Sequence, residues 1–177
     1  MSTTLPFPFP LPNMPFIPLP VSALPSFEET KEEAKTILMA GADTPLPHAV
    51  VRHQQRVFAR IDRDLAATEP RSHRLYVLEI AGPIPRVKIG RSEDPRVRIR
   101  GHVSEMNSYQ YGLIDAHVTS RASDKLAITR AEGEAQRGVG RRFKRITSET
   151  FRDADFTIAV MWADIAVLRQ QPPVVDE

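Results

Sequence analysis

A chain of 177 residues, 41% of them hydrophobic, is long enough for one packed core plus appendages. Its 24 basic and 22 acidic side chains leave a formal net charge of only +2, so attraction to a phosphate-bearing partner must come from local basic surface. Cysteine is absent, which excludes disulfides and thiolate metal sites, and the histidines show no zinc-ligand spacing, since His48 and His53 have no matching pair downstream.

Residues 1–25, MSTTLPFPFPLPNMPFIPLPVSALP, hold half of the chain's 16 prolines. Proline fixes φ and removes an N–H donor, so the segment reads as a polyproline-II-like or disordered tail. Phe7, Phe9 and Phe16 make it a docking segment for a protein partner in the sharper reading. The first basic residue is Lys31, and no uninterrupted apolar run reaches the roughly 18 residues of a membrane span. Neither a secretory signal nor a membrane partner is expected, and the expected location is the cytoplasm.

Residues 26–70 read as a helical N-terminal region. Ser26 and Glu29 form a capping box, and Gly41 falls where a C-terminal cap belongs. Pro47 opens a second helix whose Val57, Phe58, Ile61 and Leu65 share one apolar face, and which stops before Pro70. The pair is expected to form a small arm or hairpin, and it carries no catalytic constellation.

Residues 71–170 have a different texture. RLYVLEIAG and PRVKIG predict an antiparallel hairpin. Asp94 caps a helix that begins at Pro95 and runs to about Glu105, with Ile99, Val103 and Met106 facing inward. GLIDAHVTS is a third strand. Ser123 is read as the cap of the next helix, which extends to Gly138 or slightly beyond and buries Ile128, Ala131, Ala135 and Val139. A short extended piece surrounds TSETFR. DFTIAVMWADIAVLRQ is read as a helix packing Ile158, Met161, Trp162, Ile165 and Leu168 inward. The expected fold is α+β, a small three-stranded antiparallel sheet flanked by helices, with residues 171–177 a disordered C-terminus.

The chemistry concentrates in VKIGRSEDPRVRIRGH, residues 87–102. Lys88, Arg91, Arg96, Arg98 and Arg100 face only Glu93 and Asp94 there. LYV at 75–77, KIG at 88–90 and RIRGH at 98–102 resemble, in their order, the GIY-YIG nuclease superfamily. KIGRSEDPRVR is similar to its T5orf172-like DNA-binding and nuclease branch. RAEGEAQ and SETF fall where that branch carries a helical Glu and a Glu-aromatic-Phe segment. The resemblance covers about residues 73–170. It implies a GIY-YIG-like fold and metal-dependent hydrolysis of DNA phosphodiester bonds, with Mg²⁺ or Mn²⁺ as cofactor.

That reaction needs an oriented water, a cation against the phosphoryl oxygens and a held metal. Tyr76 is the candidate for orienting or deprotonating the water, with Lys88 and Arg98 as the cations that would favour its phenolate. Lys88 stands where the superfamily's name motif has Tyr; it reads either as a catalytic group or as an edge-strand lysine. Arg98 offers the forked donors that match a phosphate, and His102, at i+4, shares its helix face. Glu132 flanks the apolar stripe of its helix and is the expected metal ligand, whereas Glu134 points away from it. Gln136 replaces the branch's His, and neither Asn13 nor Asn107 fits the superfamily's late Asn. Glu149 receives no catalytic role. Arg91, Arg96 and Arg100 are read as nucleic-acid-binding cations. Tyr109 and Tyr111 read as stacking groups for bases or as ordinary loop aromatics. The function expected is a DNA endonuclease. The alternatives are a catalytically weak or inactive DNA-binding module of the same fold, and an interaction scaffold recruited through the Pro-rich tail. The residues do not specify an oligomeric state.

Overall fold

The computed structural model describes residues 25–43, 45–66, 68 and 71–171. Apart from Pro25 and Gln171, the tail expected over 1–25 and the disordered end expected over 171–177 lie outside these residues. The elements are α1 (Phe27–Met39), α2 (His48–Asp64), β1 (Arg74–Ala81), β2 (Arg86–Ser92), α3 (Pro95–Asn107), β3 (Gly112–Val118), α4 (Lys125–Gly140), β4 (Thr150–Arg152) and α5 (Phe156–Arg169). Among the described residues no helix is long and apolar enough to cross a membrane.

Local chemistry sets most boundaries. The Ser26 hydroxyl accepts from the Glu29 amide at 3.1 Å while the Glu29 carboxylate accepts from the Ser26 amide at 2.6 Å, so α1 starts on a complete capping box. Gly41 leaves α1 at φ 86°, a left-handed turn that costs glycine little. Asp94 caps α3 with Pro95 behind it. Asp124, not Ser123, caps α4: its carboxylate accepts from the amides of Leu126 (2.7 Å) and Ala127 (2.8 Å). A carboxylate at this position serves two amides, and Ser123 turns instead to Asp124. Pro47 precedes α2 as its cap rather than forming its first residue.

The sheet is antiparallel and has four strands, in the order β3-β1-β2-β4, instead of the expected three. The fourth is the extended piece near TSETFR. Three residues carry too little alternation to announce a strand. A tight turn holds them out, with Ile146 N–H donating to Thr150 O and Arg152 N–H to Lys144 O, both at 2.8 Å. Thr150–Arg152 then pair with Arg86–Lys88. Lys88 therefore lies on an interior strand, and the edge-lysine reading does not hold.

Strand alternation divides the core between two faces. Leu75, Val77, Val87 and Ile89 pack with α4 and α5. Tyr76, Leu78 and Ile80 pack with Val57 and Ile61 of α2 and with Ile99 and Val103 of α3. In α5 the fully buried residues are Ala159, Ala163, Ala166 and Val167, while Met161 and Leu168 are exposed and Ile158, Trp162 and Ile165 only half-buried. The expected inward set was out of phase because α5 lies close against α4. The Trp162 ring rests where a side chain at Gly138 would stand, and small residues line the seam.

α1 and α2 are tied into this domain at β3. The β1–β3 register shifts between Glu79 and Ile80 and skips Ile114. The carbonyl of Ile114 accepts from His53 Nε2 at 2.7 Å, which satisfies a group the bulge leaves outside the ladder. Beside it, Asp115 meets Lys31 (2.9 Å) and Arg60, and Glu79 meets Lys31 (2.9 Å) and Lys35 (3.3 Å).

Candidate active site at the open edge of β2

β4 covers only the first three residues of β2. Ile89 N–H still reaches Glu149 O at 2.8 Å, and the Ile89 carbonyl accepts from Gln136 of α4 at 3.3 Å. Beyond this point the outer edge of β2 has no strand partner among the described residues. Here the register sets Tyr76 directly opposite Gly90. A Cβ at Gly90 would collide with the Tyr76 hydroxyl and its ring carbon, so the glycine of KIG is what lets the phenol pass over β2.

The Tyr76 ring is buried, and its hydroxyl lies 2.9 Å from His102 Nε2. Burial raises the Tyr76 pKa above the ordinary phenol value; Arg98 pulls it down, and Glu149 and Glu132 push it up. Burial also lowers the His102 pKa, helped by the charges of Lys88 and Arg98. Both groups are thus held neutral near pH 7. With the proton on Nδ1, His102 Nε2 accepts from the Tyr76 hydroxyl.

Lys88, Glu149 and Glu132 act on this pair together with Arg98. Lys88 is directly opposite Leu78, on the Tyr76 face, and forms an ion pair with Glu149. Glu132, on α4, pairs with Arg91 at 2.9 Å. Arg91 also donates to Thr129, so it is fixed along α4. Burial, followed in size by Arg91, acts on the Glu132 carboxyl: burial raises its pKa, Arg91 lowers it, and Glu149 adds to the rise. Glu134 faces elsewhere and pairs with Arg169 of α5.

The cations of α3 separate into two groups. Arg96 and Arg100 both turn to Asp62 of α2, at 3.6 and 2.9 Å, and Arg100 also covers the Phe58 ring at 4.5 Å. Arg98 is exposed and meets no carboxylate among the described residues; the groups it acts on are Tyr76 and His102. The structure therefore gathers Tyr76, Lys88, Arg98, His102 and Glu132 around one strand edge, adds Arg91 as the partner of Glu132, and leaves Arg96 and Arg100 outside.

No group of three or more His, Cys, Asp or Glu among the described residues forms a ready metal cage. Mg²⁺ and Mn²⁺ favour oxygen, and Mg²⁺ commonly keeps several waters and takes one or two carboxylates plus phosphate oxygens. Glu132 fits that modest demand. Its Oε2 meets Arg91, and the negative charge of Glu149, which acts on the same carboxyl, favours a cation.

Sequence reasoning gave no role to Glu149, which the fold brings onto Lys88 across a long separation. It also passed over Arg137 in the last turn of α4 and Arg141, Arg142 and Lys144 beyond it, all exposed; the signal was present in RGVGRRFK. Comparison with family models, with curated proteins and with solved structures finds no match for this chain.

Proposed function

We propose that the protein is a metal-dependent endonuclease of GIY-YIG-like fold that hydrolyses DNA phosphodiester bonds. The observation that carries this reading is Arg98: an exposed guanidinium that meets no carboxylate among the described residues and acts on a half-buried Tyr76–His102 hydrogen bond. An ordinary surface arginine has no such setting, and two parallel N–H donors suit a phosphate.

Each residue then has a task. Arg98 grips the non-bridging oxygens of the scissile phosphate. Water attacks phosphorus as the Tyr76 hydroxyl takes its proton and passes its own to His102 Nε2. The P–O bond to the sugar opposite the incoming water breaks, and the leaving oxygen is protonated from solvent. Lys88, fixed by Glu149, supplies positive charge beside His102 and keeps the imidazole able to accept. Glu132 would hold Mg²⁺ or Mn²⁺, which supplies charge neutralisation at the phosphoryl oxygens.

The test is nicking of supercoiled plasmid in Mg²⁺ or Mn²⁺, compared with EDTA and with Arg98→Ala. Cleavage by the wild-type chain that EDTA and the substitution both abolish is expected. Salt-dependent DNA binding without cleavage in either metal would replace the enzyme with a binding module of the same fold.

A further inference from the structure

The α4–β4 connector is the most basic stretch outside the site. Arg141, Arg142 and Lys144 are all exposed, as is Arg137 in the last turn of α4 before it. A cation near the end of a helix is common, because it complements the macrodipole, but one suffices. What distinguishes this group is that no carboxylate among the described residues pairs with it. The carboxylates of α4 and of the segment through β4 are engaged elsewhere: Glu132 with Arg91, Glu134 with Arg169, Glu149 with Lys88 and Asp153 with Arg152.

The connector is also built to hold its shape. Val139 is fully buried, and Phe143 packs against the same core. Arg142 N–H and Phe143 N–H both donate to the Val139 carbonyl, at 3.0 and 3.1 Å. The carbonyl of Lys144 accepts from Arg152 of β4. Two apolar anchors thus turn the intervening cations outward on a fixed backbone. From Lys144 the chain passes through a tight turn to Glu149, the partner of Lys88, so the connector leads along the chain into the candidate site.

We infer that Arg137, Arg141, Arg142 and Lys144 form a second, sequence-independent binding surface for the phosphodiester backbone of the nucleic acid whose scissile phosphate sits at Arg98. This deepens the nuclease reading and rests on it. A regularly charged polyanion is the ligand that rewards several exposed, pre-positioned cations at once, since each phosphate contact releases condensed counterions. Arg96 and Arg100, which the sequence offers as readily, are tethered to the one carboxylate of Asp62.

The experiment is fluorescence anisotropy of labelled duplexes of two unrelated sequences, as DNA and as RNA, titrated with the full chain over a range of NaCl concentrations. The triple variant Arg141→Gln, Arg142→Gln, Lys144→Gln is expected to reduce the slope of log K against log salt by about 2 to 3, at about 0.9 per lost contact, equally for both sequences. The charge-preserving variant Arg141→Lys, Arg142→Lys should retain the slope, which separates charge from shape. Arg52→Gln with Arg63→Gln, on α2, should leave it unchanged. A lowered slope on DNA supports the surface, and a response confined to RNA overturns it as a surface for the DNA substrate. An unchanged slope in the triple variant, with wild-type binding intact, overturns the connector surface and leaves the nuclease reading standing. Absence of salt-dependent binding by the wild-type chain to either polymer overturns both.

Discussion

The ionic groups where α1 and α2 meet β3 and those at the open edge of β2 are managed in opposite ways. Where α1 and α2 meet β3, Asp115 and Glu79 are met by Lys31, Lys35 and Arg60, and His53 is used at both ring nitrogens, by Thr30 and by Ile114. Positive and negative groups close on one another. At the open edge of β2 the closure is incomplete: Glu132 meets Arg91 and Glu149 meets Lys88, but Arg98 meets no carboxylate among the described residues, and the Tyr76–His102 pair it acts on is neutral. A closed network contributes to holding helices on a sheet. An open one is free to receive an anion. The contrast makes distinct predictions for substitutions of similar size.

The largest separation is expected between Arg98 and Asp115. Arg98→Ala should lower cleavage by at least about 10²-fold, the scale for losing one charged donor to a transition state, with an unchanged unfolding curve because the side chain is exposed. Arg98→Lys should also be impaired, since an ammonium lacks the fork. Asp115→Ala should instead cost about 3 kcal/mol in denaturant unfolding, because Lys31 and Arg60 lose a buried partner. Its cleavage per folded molecule should be normal. Near-normal cleavage by Arg98→Ala would remove that residue from the site.

The two helical carboxylates come next. Glu132→Gln should eliminate metal-dependent cleavage while keeping or improving DNA binding, as a negative charge beside the phosphate is lost. Glu134→Gln loses only a partly exposed pair with Arg169 and should behave as wild type in both assays. The reverse result, with Glu134 essential, would place the metal on the other side of α4.

The phase of α4 was readable in advance because Ile128, Ala131, Ala135 and Val139 differ clearly from their neighbours in polarity, so Glu132 and Glu134 could be assigned to different sides. The same reasoning failed in α5. Almost every residue there is apolar, so bulk replaced polarity as the deciding property, and close packing on α4 selected the alanines. β4 was obscure because three residues owe their extension to a neighbouring turn. Tyr76, Arg98 and His102 were legible as a set through their order and helical spacing. The pairing of Glu149 with Lys88, and of Arg96 and Arg100 with Asp62, was not: each joins elements whose relative placement only tertiary packing decides.

The histidines sharpen the comparison through pH. Burial lowers the pKa of both His53 and His102 below the ordinary value of 6.5. The unfolded chain therefore binds more protons than the folded one in the window below 6.5, and stability must rise with pH there. It should be fully present above 6.5 and decline on acidification toward the folded-state pKa values, by at most about 1.4 kcal/mol per pH unit per group. His53→Gln should flatten this decline, read from urea unfolding at a series of pH values, without altering the pH profile of cleavage. His102→Gln should remove the acid limb of cleavage, whose midpoint is expected below 6.5. An acid limb that survives in His102→Gln would assign the proton acceptor to another group.

The smallest effect is expected where the sequence suggested a large one. Arg96 and Arg100 stand on the same helix as Arg98 and are equally charged, so composition alone cannot rank them. Each faces Asp62 across a partly exposed gap, and pairs of that kind contribute at most about 1 kcal/mol. Replacing either with Gln leaves Asp62 to the other, and replacing both removes cations that Asp62 holds at short range. Arg100→Gln keeps its alkyl stem over Phe58 in part, which limits the packing loss. The double variant should therefore shift the unfolding midpoint only slightly and change the salt slope of DNA binding by well under the roughly 0.9 units expected for one lost phosphate contact. A loss of about two contacts in the double variant would show that Asp62 yields both arginines to the nucleic acid. The α3 cations would then act as one surface, and the line drawn here between matched and unmatched charge would fail at its nearest point to the site.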